Sequence, residues 1–203
     1  MASYDTIVFD LGGVLIDWNP AYVYRTIFDD PAEMAYFLTE VCSSEWNEQQ
    51  DAGRLQSEGT EILVQQFPHY EPQIRAFYDR WEEMLGGPIQ DTVELLRELH
   101  AANKHRLYAL TNWSRENFPV ALQRYDFLQL FQGILVSGEE KMKKPDPAIF
   151  NLLAQRYEIT PPSAIFIDDN LRNVHAAGDL GFQSIHFQSA GDLRTILNDL
   201  GVV

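Results

Sequence analysis

Five side chains that could do chemistry each lie shortly after an apolar run of this sequence: Asp10, Thr111, Lys144, Asp168 and Asp169. A carboxylate can attack phosphorus or carbon, or it can hold a hard metal ion such as Mg²⁺. A threonine and the backbone amides after it can hold phosphate oxygens, and a lysine adds a compact positive charge. Together these residue types indicate phosphoryl transfer, which depends mostly on positioning and charge stabilisation.

Asp10 is the most informative of these residues because Gly12 and Gly13 follow it almost at once. Glycines let the backbone turn sharply and approach a ligand closely. Asp10 and Asp169 are suited to bind Mg²⁺, and a backbone carbonyl near Gly12 could add a ligand. Each candidate also has an ordinary interpretation, since aspartate and threonine cap turns and helices and a lysine can be solvated. Their coincidence at successive strand ends favours a functional site.

The apolar runs before these residues have the pattern of a parallel sheet. They alternate with helix-compatible segments, which is typical of a doubly wound α/β fold with helices on both faces. The carboxyl ends of parallel strands meet at one edge, where such sheets build their ligand sites. The predicted strands are Thr6–Phe9, Leu107–Leu110, Gly133–Val136, Ala164–Ile167 and Ser184–Phe187.

The sequence between Ile16 and Gly87 has a different pattern, with no convincing strand. Prolines and glycines divide it into helical segments, and Gly86-Gly87-Pro88 is the best candidate for its boundary. We therefore predict a Rossmann-like core from residues 1–15 and 88–203 and an inserted helical cap at 16–87, hereafter the cap segment. Its predicted helices are Ala21–Phe28, Pro31–Cys42, Ser57–Phe67 and Pro72–Met84.

The composition limits the partners of this chain. Its 203 residues carry a net charge of -15, which argues against nucleic acid and disfavours an anionic membrane surface. No apolar run approaches the roughly 18 residues of a membrane-spanning helix. Cys42 is the only cysteine, and we expect a soluble cytoplasmic protein, a monomer or a homodimer. A phosphate site in so acidic a chain needs a metal ion or clustered lysines, and three of the four lysines fall within residues 141–144.

Four motifs stand at the predicted strand ends: Asp10-Leu11-Gly12-Gly13-Val14, Thr111-Asn112, Lys144-Pro145 and Asp168-Asp169-Asn170-Leu171-Arg172-Asn173. In order and spacing, over nearly the whole chain, they resemble the motifs of the haloacid dehalogenase-like hydrolase superfamily. The cap segment is similar to the small cap of its first subclass. The last motif resembles the form found in bacterial sugar-phosphate phosphatases and in the phosphatase domain of epoxide hydrolases.

The resemblance implies a phosphatase that hydrolyses a small phosphomonoester, such as a sugar phosphate, through an aspartyl-phosphate intermediate. Asp10 would be the catalytic nucleophile. Thr111 and Lys144 would act with it by holding the phosphoryl group. Asp10, the carbonyl of Gly12 and Asp169 would bind Mg²⁺, and the cap would close over the substrate and select it.

Further residues are expected around this set. By the resemblance, Asp168 and Asn173 would support the metal site. Asn112 and Trp113 follow Thr111 directly, and we expect them to contact the substrate with it. Four residues of the cap segment could also face the substrate, although buried aromatic residues more often pack a helical bundle: Trp18, Arg25, Trp46 and Arg54.

The chain departs from the family pattern at Gly12, where the usual pattern has a second aspartate two residues after the nucleophile. That aspartate protonates the leaving group and later activates water, and general acid–base catalysis contributes roughly 10²–10⁴-fold. Either another group replaces it, or the substrate has a relatively acidic leaving group, as in an anomeric sugar phosphate or an acyl or aryl phosphate.

Two other functions stay open. A 2-haloacid dehalogenase would use Asp10 to attack carbon without a metal, but Asp168 and Asp169 imply a cation that neutralises them. A non-catalytic protein that binds a phosphorylated ligand on the same scaffold is favoured by Gly12. The presence of Asp10, Lys144 and Asp169 argues against it.

Overall fold

A parallel sheet forms the centre of the computed structural model, which describes residues 4–203. Its strand order is β5-β4-β1-β6-β7, so the first strand of the sequence lies in the middle. This confirms the predicted doubly wound α/β fold, and each predicted strand is present to within one residue at either end. Residues 4–203 form this sheet and a separate pair, β2 with β3. The strands are β1 (Thr6–Phe9), β2 (Ile16–Trp18), β3 (Leu85–Pro88), β4 (Arg106–Thr111), β5 (Gly133–Val136), β6 (Ala164–Asp168) and β7 (Gln183–His186).

Helices connect the strands and fill most of the cap segment. They are α1 (Ala21–Tyr24), α2 (Pro31–Tyr36), α3 (Ser44–Asp51), α4 (Gln56–Gln66), α5 (Glu71–Asp79), α6 (Gln90–Ala102), α7 (Phe118–Arg124), α8 (Ser137–Glu140), α9 (Pro147–Arg156), α10 (Leu171–Asp179) and α11 (Ala190–Asp199). The side chains of Asp146, Asn170 and Ser189 cap the first turns of α9, α10 and α11. Among the helices of residues 4–203, none has both the length and the apolar character needed to cross a membrane.

The central strands are buried because helices cover both faces of the sheet. On one face Ile7 and Phe9 pack against apolar residues of α6 and α11. On the other face Val8 packs against apolar residues of α9 and α10. A strand that is covered on both faces reads as a continuous apolar run, which is why β1, β4 and β6 are visible in the sequence.

The register of the sheet brings the candidate residues to one edge. Phe9, the last residue of β1, pairs with Ala109 of β4 on one side and with Ile167 of β6 on the other. Asp10 therefore follows β1 at the level where β4 ends in Thr111 and β6 ends in Asp168. The crevice at the carboxyl ends of these three adjacent strands is the place where open α/β sheets bind ligands.

The prediction that the cap segment contains no strand is wrong. β2 and β3 form an antiparallel pair in which Asp17 lies opposite Gly87. The pair escapes sequence analysis because β2 has three residues and the Leu-Gly-Gly-Pro sequence of β3 lacks β-branched and aromatic residues. Gly86 is needed here, because a Cβ at this position would collide with the carboxylate of Asp17. We keep the division into a core and a cap segment as a proposal.

Helix α3 lies in a stretch for which the sequence predicts no helix. Its eight residues are mostly polar, and only Trp46 and Gln50 are buried. Ser43 caps the helix by accepting a hydrogen bond from the backbone N–H of Trp46, at 3.3 Å. The buried amide of Gln50 is satisfied because its Nε2 donates to Trp46 O and to Tyr78 Oη, both at 2.9 Å. Tertiary hydrogen bonds therefore stabilise a helix that apolar periodicity does not reveal.

Gly138→Ala is expected to lower the free energy of unfolding by about 1–3 kcal/mol, the usual range for overpacking. Gly138 lies in α8, and a Cβ there would stand 2.6 Å from Arg115 N and 2.7 Å from Trp113 O. These are backbone atoms that cannot rotate away. The measurement is urea unfolding followed by circular dichroism.

The matched control for this prediction is Gly191→Ala in α11. Its Cβ would meet its nearest neighbour, Ser189 Oγ, at 3.9 Å, and alanine favours a helix over glycine. We expect this variant to be neutral or slightly stabilised. Equal losses of stability in the two variants would contradict the close approach at Gly138.

Candidate active site

Asp10 is fixed by the backbone immediately after β1. Its N–H donates to Ile167 O at 2.8 Å, which extends the pairing of β1 with β6 by one residue. Its carboxylate Oδ1 accepts from the N–H of Leu11, also at 2.8 Å. The residue is 7% exposed, so its carboxylate lies at the surface of the crevice with little freedom to move.

Lys144 is buried beside Asp10, although it comes from a different part of the sequence. Its ammonium Nζ lies 2.9 Å from Asp10 Oδ1 and 2.6 Å from Asp168 Oδ2. The same group donates to Leu110 O at 2.9 Å. An ammonium has three hydrogens, so these three acceptors use all of its donors. The ammonium of Lys144 thus contacts two carboxylates. This contact adds to the role expected from the sequence, which is to hold a phosphoryl group.

Two asparagines hold this arrangement in place. Asn112 Nδ2 donates to Lys144 O at 2.9 Å, and Lys144 N donates back to Asn112 Oδ1 at 2.8 Å. Asn173 Nδ2 lies 2.9 Å and 3.1 Å from the two carboxylate oxygens of Asp168. Asp168 also accepts from the N–H of Asn170 at 2.8 Å. Asp168 is therefore saturated with hydrogen bonds and fully buried, as expected of a residue that positions Lys144.

The carboxylates of Asp10, Asp168 and Asp169 lie together, each offering an oxygen within 4.8 Å of the others. Gly13 permits this approach, because its φ is +73° and a Cβ there would collide with Asp169. When all three carboxylates are ionised, they face the single ammonium of Lys144, and the cluster then carries two negative charges in excess. A cluster of oxygen ligands with this excess fits a hard divalent cation.

Burial and neighbouring negative charges raise the pKa values of two carboxyl groups in this cluster, those of Asp10 and Asp169. The pKa of Asp10 is raised to about 8, mainly by burial and further by the charges of Asp168 and Asp169, against the opposing effect of Lys144. The pKa of Asp169 is also raised, by burial and by Asp168. The pKa of Lys144 lies above its usual value, because the two carboxylates outweigh the effect of burial. The ammonium stays charged while the carboxylates require a further cation to ionise fully.

A cavity of about 90 Å³ lies beside this cluster, between the core and the cap segment. Four residues named from the sequence line it, namely Gly12, Trp18, Asn112 and Trp113. Thr111 is buried at the end of β4. The cavity is also lined by residues that sequence analysis did not single out: Asn47, Asp51, Tyr78, Trp81, Ser114 and Asn117.

Asp51 is the one carboxylate among the described residues that line this cavity. Asn47 Nδ2 donates to its Oδ2 at 3.3 Å. The pKa of Asp51 is raised to about 7, first by burial and then by the charge of Glu48, while Lys143 and a backbone hydrogen bond from Ser114 oppose the rise. The sequence feature that could have identified Asp51 is its position as an acidic residue at the end of the polar helix α3, just before the turn at Gly53.

Contacts between α3 and the core close one side of the cavity. Glu48 bonds to Lys143 and lies 2.8 Å from Arg172 Nη2. Although burial raises the pKa of Glu48, these two cations hold it below its usual value. Ser137 Oγ donates to Asp51 O at 2.6 Å. Lys143 is thus engaged in an ion pair, whereas the sequence left a solvated loop as its simplest interpretation.

The other cap residues considered from the sequence lie outside the cavity. Trp46 packs edge-to-face on Phe77, with ring centroids 5.1 Å apart, and its indole N–H donates to Gly59 O at 3.0 Å. Arg54 Nε donates to Gln50 Oε1 at 2.6 Å, and Arg25 is exposed. The packing interpretation of Trp46 is confirmed.

The sequence and the fold match known proteins. A family model described as haloacid dehalogenase-like hydrolase matches residues 4–181. The chain is 29% identical over 185 residues to the sesquiterpene phosphatase astK of Aspergillus oryzae, and the match covers 91% of this chain and 90% of that protein. It is 24% identical over 194 residues to the phosphoglycolate phosphatase of Vibrio cholerae, with coverage of 91% and 84%.

A solved structure shows the same fold. The HAD family enzyme bt-2542 of Bacteroides thetaiotaomicron superposes with a TM-score of 0.72 at 22% identity, covering 96% of this chain and 98% of that one. That enzyme has also been crystallised with magnesium and inorganic phosphate.

We expect Mg²⁺ to bind this chain more tightly as the pH rises from 6 to above 8. Because the pKa of Asp10 is raised to about 8, the metal must displace a proton below that pH. One displaced proton lowers the apparent affinity by at most about tenfold per pH unit. Isothermal titration calorimetry in two buffers of different ionisation enthalpy measures both the affinity and the proton release.

Asp10→Asn should remove most of this pH dependence and weaken binding. Asp199→Asn, at an exposed position in α11, is the matched control and should behave like the unchanged protein. An affinity that is flat between pH 6 and 8.5 would contradict the raised pKa values of the cluster.

Proposed function

The chain belongs to the haloacid dehalogenase-like hydrolases, and from this premise we propose that it is a Mg²⁺-dependent phosphatase. Its substrate is a small phosphomonoester, such as a sugar phosphate, and its reaction passes through an aspartyl-phosphate on Asp10. The observation that carries the proposal is the buried ammonium of Lys144 between Asp10 and Asp168, beside a carboxylate cluster with excess negative charge. The similarity to two proteins named as phosphatases supports it.

Asp10, Asp169 and the carbonyl of Gly12 are the groups that would hold Mg²⁺. The donor set fits this ion, because carboxylate oxygens from two strand ends lie within 4.8 Å of one another. When bound, Mg²⁺ would offset the negative charge of the carboxylates and of the phosphate. Asp168 is less available as a ligand, since Lys144 and Asn173 occupy its oxygens.

The chemistry of this chain's own residues follows from their positions. A carboxylate oxygen of Asp10 forms a bond to phosphorus while the bond from phosphorus to the leaving oxygen breaks, and the leaving group departs as an alkoxide or phenoxide that takes its proton from water. Lys144 orients Asp10 and opposes its protonation. Water then attacks the phosphorus of the aspartyl-phosphate, which releases inorganic phosphate and restores Asp10. Thr111, at the end of β4, would hold phosphoryl oxygens during both steps.

Position 12, where the family pattern has a general acid, is a glycine and therefore has no side chain that could donate a proton. We therefore infer that the substrate has a relatively acidic leaving group, which departs with little protonation. The leaving group would enter the cavity that Gly12 lines.

Asp10→Asn is expected to lower phosphate release by at least about three orders of magnitude, because it removes the nucleophile. The assay measures inorganic phosphate from p-nitrophenyl phosphate and a panel of sugar phosphates, with Mg²⁺ and with a chelator. The chelator should abolish release and added Mg²⁺ should restore it. Asp199→Asn serves again as the matched control and should retain full activity.

Phosphate release that survives Asp10→Asn would contradict the proposed mechanism. Release from no ester, together with chloride release from a 2-haloacid, would instead indicate a dehalogenase. Binding of a phosphorylated compound without any turnover would indicate the non-catalytic alternative.

Gly12→Asp should raise kcat/KM for alkyl phosphates about tenfold or more relative to aryl phosphates. The added carboxylic acid protonates a poor leaving group, which an acidic phenol does not need. The variant can fold, because nothing lies within 4 Å of a Cβ at Gly12. Gly12→Asn is the matched control, with the same size and no acidic proton. An unchanged ratio of alkyl to aryl phosphates in Gly12→Asp would show that leaving-group acidity does not explain Gly12.

A further inference from the structure

The cavity beside the carboxylate cluster is where a leaving group would lie. Gly12, which follows the nucleophile by two residues, forms one part of its wall, and Asn112, which follows Thr111, forms another. A phosphoryl group at Asp10 and Thr111 would therefore carry its leaving group into this space. The volume of about 90 Å³ is well above the roughly 10–15 Å³ that one water molecule needs on this measure, so the cavity has room for a small leaving group.

The walls of the cavity have an unusual charge distribution for a protein that handles phosphate esters. Among the described residues that line it, none is a lysine, an arginine or a histidine, and one, Asp51, is a carboxylate. The nearby cations are engaged elsewhere: Lys144 with Asp10 and Asp168, and Lys143 and Arg172 with Glu48. A second negative charge on the substrate would meet a carboxylate and find no free cation.

The walls also contain polar atoms that need partners. The indole nitrogens of Trp18 and Trp113 and the Oδ1 of Asn117 are buried without a hydrogen-bond partner in residues 4–203. All three residues line the cavity. Two donors and one acceptor are left, and a hydroxyl group can satisfy either kind, because it donates one hydrogen bond and accepts others. A hydrocarbon would leave all three atoms unpaired.

Part of the cavity wall is aromatic. Trp81 and Trp113 meet edge-to-face with centroids 5.6 Å apart, and Tyr78 completes this side. Aromatic faces bind the C–H surface of a carbon chain or ring, while the polar atoms bind its hydroxyls. The cavity therefore combines an apolar surface, unpaired hydrogen-bonding atoms and a negative charge.

We propose that this cavity selects an uncharged, hydroxyl-bearing leaving group and rejects one that carries a second negative charge. Trp18, Trp113 and Asn117 are the residues that recognise the hydroxyls, and Asp51 is the residue that repels an anion. The inference rests on the proposed phosphatase activity and specifies its substrate. It separates this chain from its relative named as a phosphoglycolate phosphatase, whose substrate bears a carboxylate.

Two pairs of esters that differ in one group test the proposal. They are 2-hydroxyethyl phosphate against phosphoglycolate, and glycerol 3-phosphate against 3-phosphoglycerate. In each pair a CH₂OH group is replaced by a carboxylate. At about pH 8.5, where Asp51 is ionised because its pKa is raised only to about 7, we expect kcat/KM to favour the uncharged member by at least about tenfold, because a like charge faces the anion. Equal values, or a preference for the anions, would overturn the proposal.

Asp51→Asn should reduce this preference several-fold by improving the anionic members. Asp199→Asn is the matched control and should leave the preference unchanged. If Asp51→Asn alters all four esters equally, Asp51 is not the residue that repels the anion, and that part of the proposal is wrong.

Trp113→Phe keeps an aromatic ring and removes the indole N–H. It should lower kcat/KM for glycerol 3-phosphate several-fold relative to phenyl phosphate. Trp46→Phe is the matched control, because that indole lies in the cap segment outside the cavity and donates to Gly59 O. An equal effect of the two variants on this ratio would contradict recognition of hydroxyls by Trp113. A higher kcat/KM for isopentenyl phosphate than for glycerol 3-phosphate would contradict it as well.

Measuring how the four esters bind to the Asp10→Asn variant distinguishes a failure of the proposed phosphatase function from a failure of the proposed selectivity. If the protein hydrolyses none of the esters, the proposed function fails. Calorimetric affinities of the four esters for this variant then still rank the uncharged against the anionic members. Hydrolysis of p-nitrophenyl phosphate with no such ranking would refute the inference and leave the phosphatase activity intact.

Discussion

An ammonium group enclosed by oxygen atoms is the interaction on which the site depends. The three donors of Lys144 reach one acceptor from each of three neighbouring strands: Asp10 after β1, Leu110 in β4 and Asp168 at the end of β6. The ammonium thus joins the carboxyl ends of the strands at the point where the sheet opens. Removing one partner of a buried ion pair costs about 3–5 kcal/mol, because the other charge stays buried and uncompensated. The same contacts hold Asp10 in place.

The two sides of the site contribute different kinds of group. The core supplies the charges, which are buried and held by Asn112 and Asn173. The cap segment supplies aromatic rings and one amide, Asn47, together with one carboxylate, Asp51. The charged core edge is suited to a phosphoryl group and a metal ion, while the cavity between the two sides is suited to the part of a substrate that leaves. The ion pairs of Glu48 with Lys143 and Arg172 bring the two sides together.

Those parts of the molecule that depend on residues adjacent in the chain can be predicted from the sequence. β1, β4 and β6 are recognisable because both of their faces are covered, and Asp10, Thr111 and Asp168 are tied to the strand ends by adjacency alone. Helix α3 is not recognisable, because hydrogen bonds from Gln50 replace the apolar stripe. The cavity is not recognisable either. Its walls combine single residues from the cap segment with a loop after β4, and only their packing in three dimensions shows that Asp51 and Trp113 share a space.

The pairing of β2 with β3 has a consequence for how this molecule could change over evolutionary time. The chain leaves the core after Leu15 and returns at Ile89, and Ile89 N donates to Leu15 O at 2.9 Å. The entry and exit of the intervening segment are thus held together by this hydrogen bond and by the pairing of β2 with β3. Neither strand belongs to the central sheet. We therefore expect that segments of different length and composition could be inserted at this junction without altering the carboxylate cluster at the edge of that sheet.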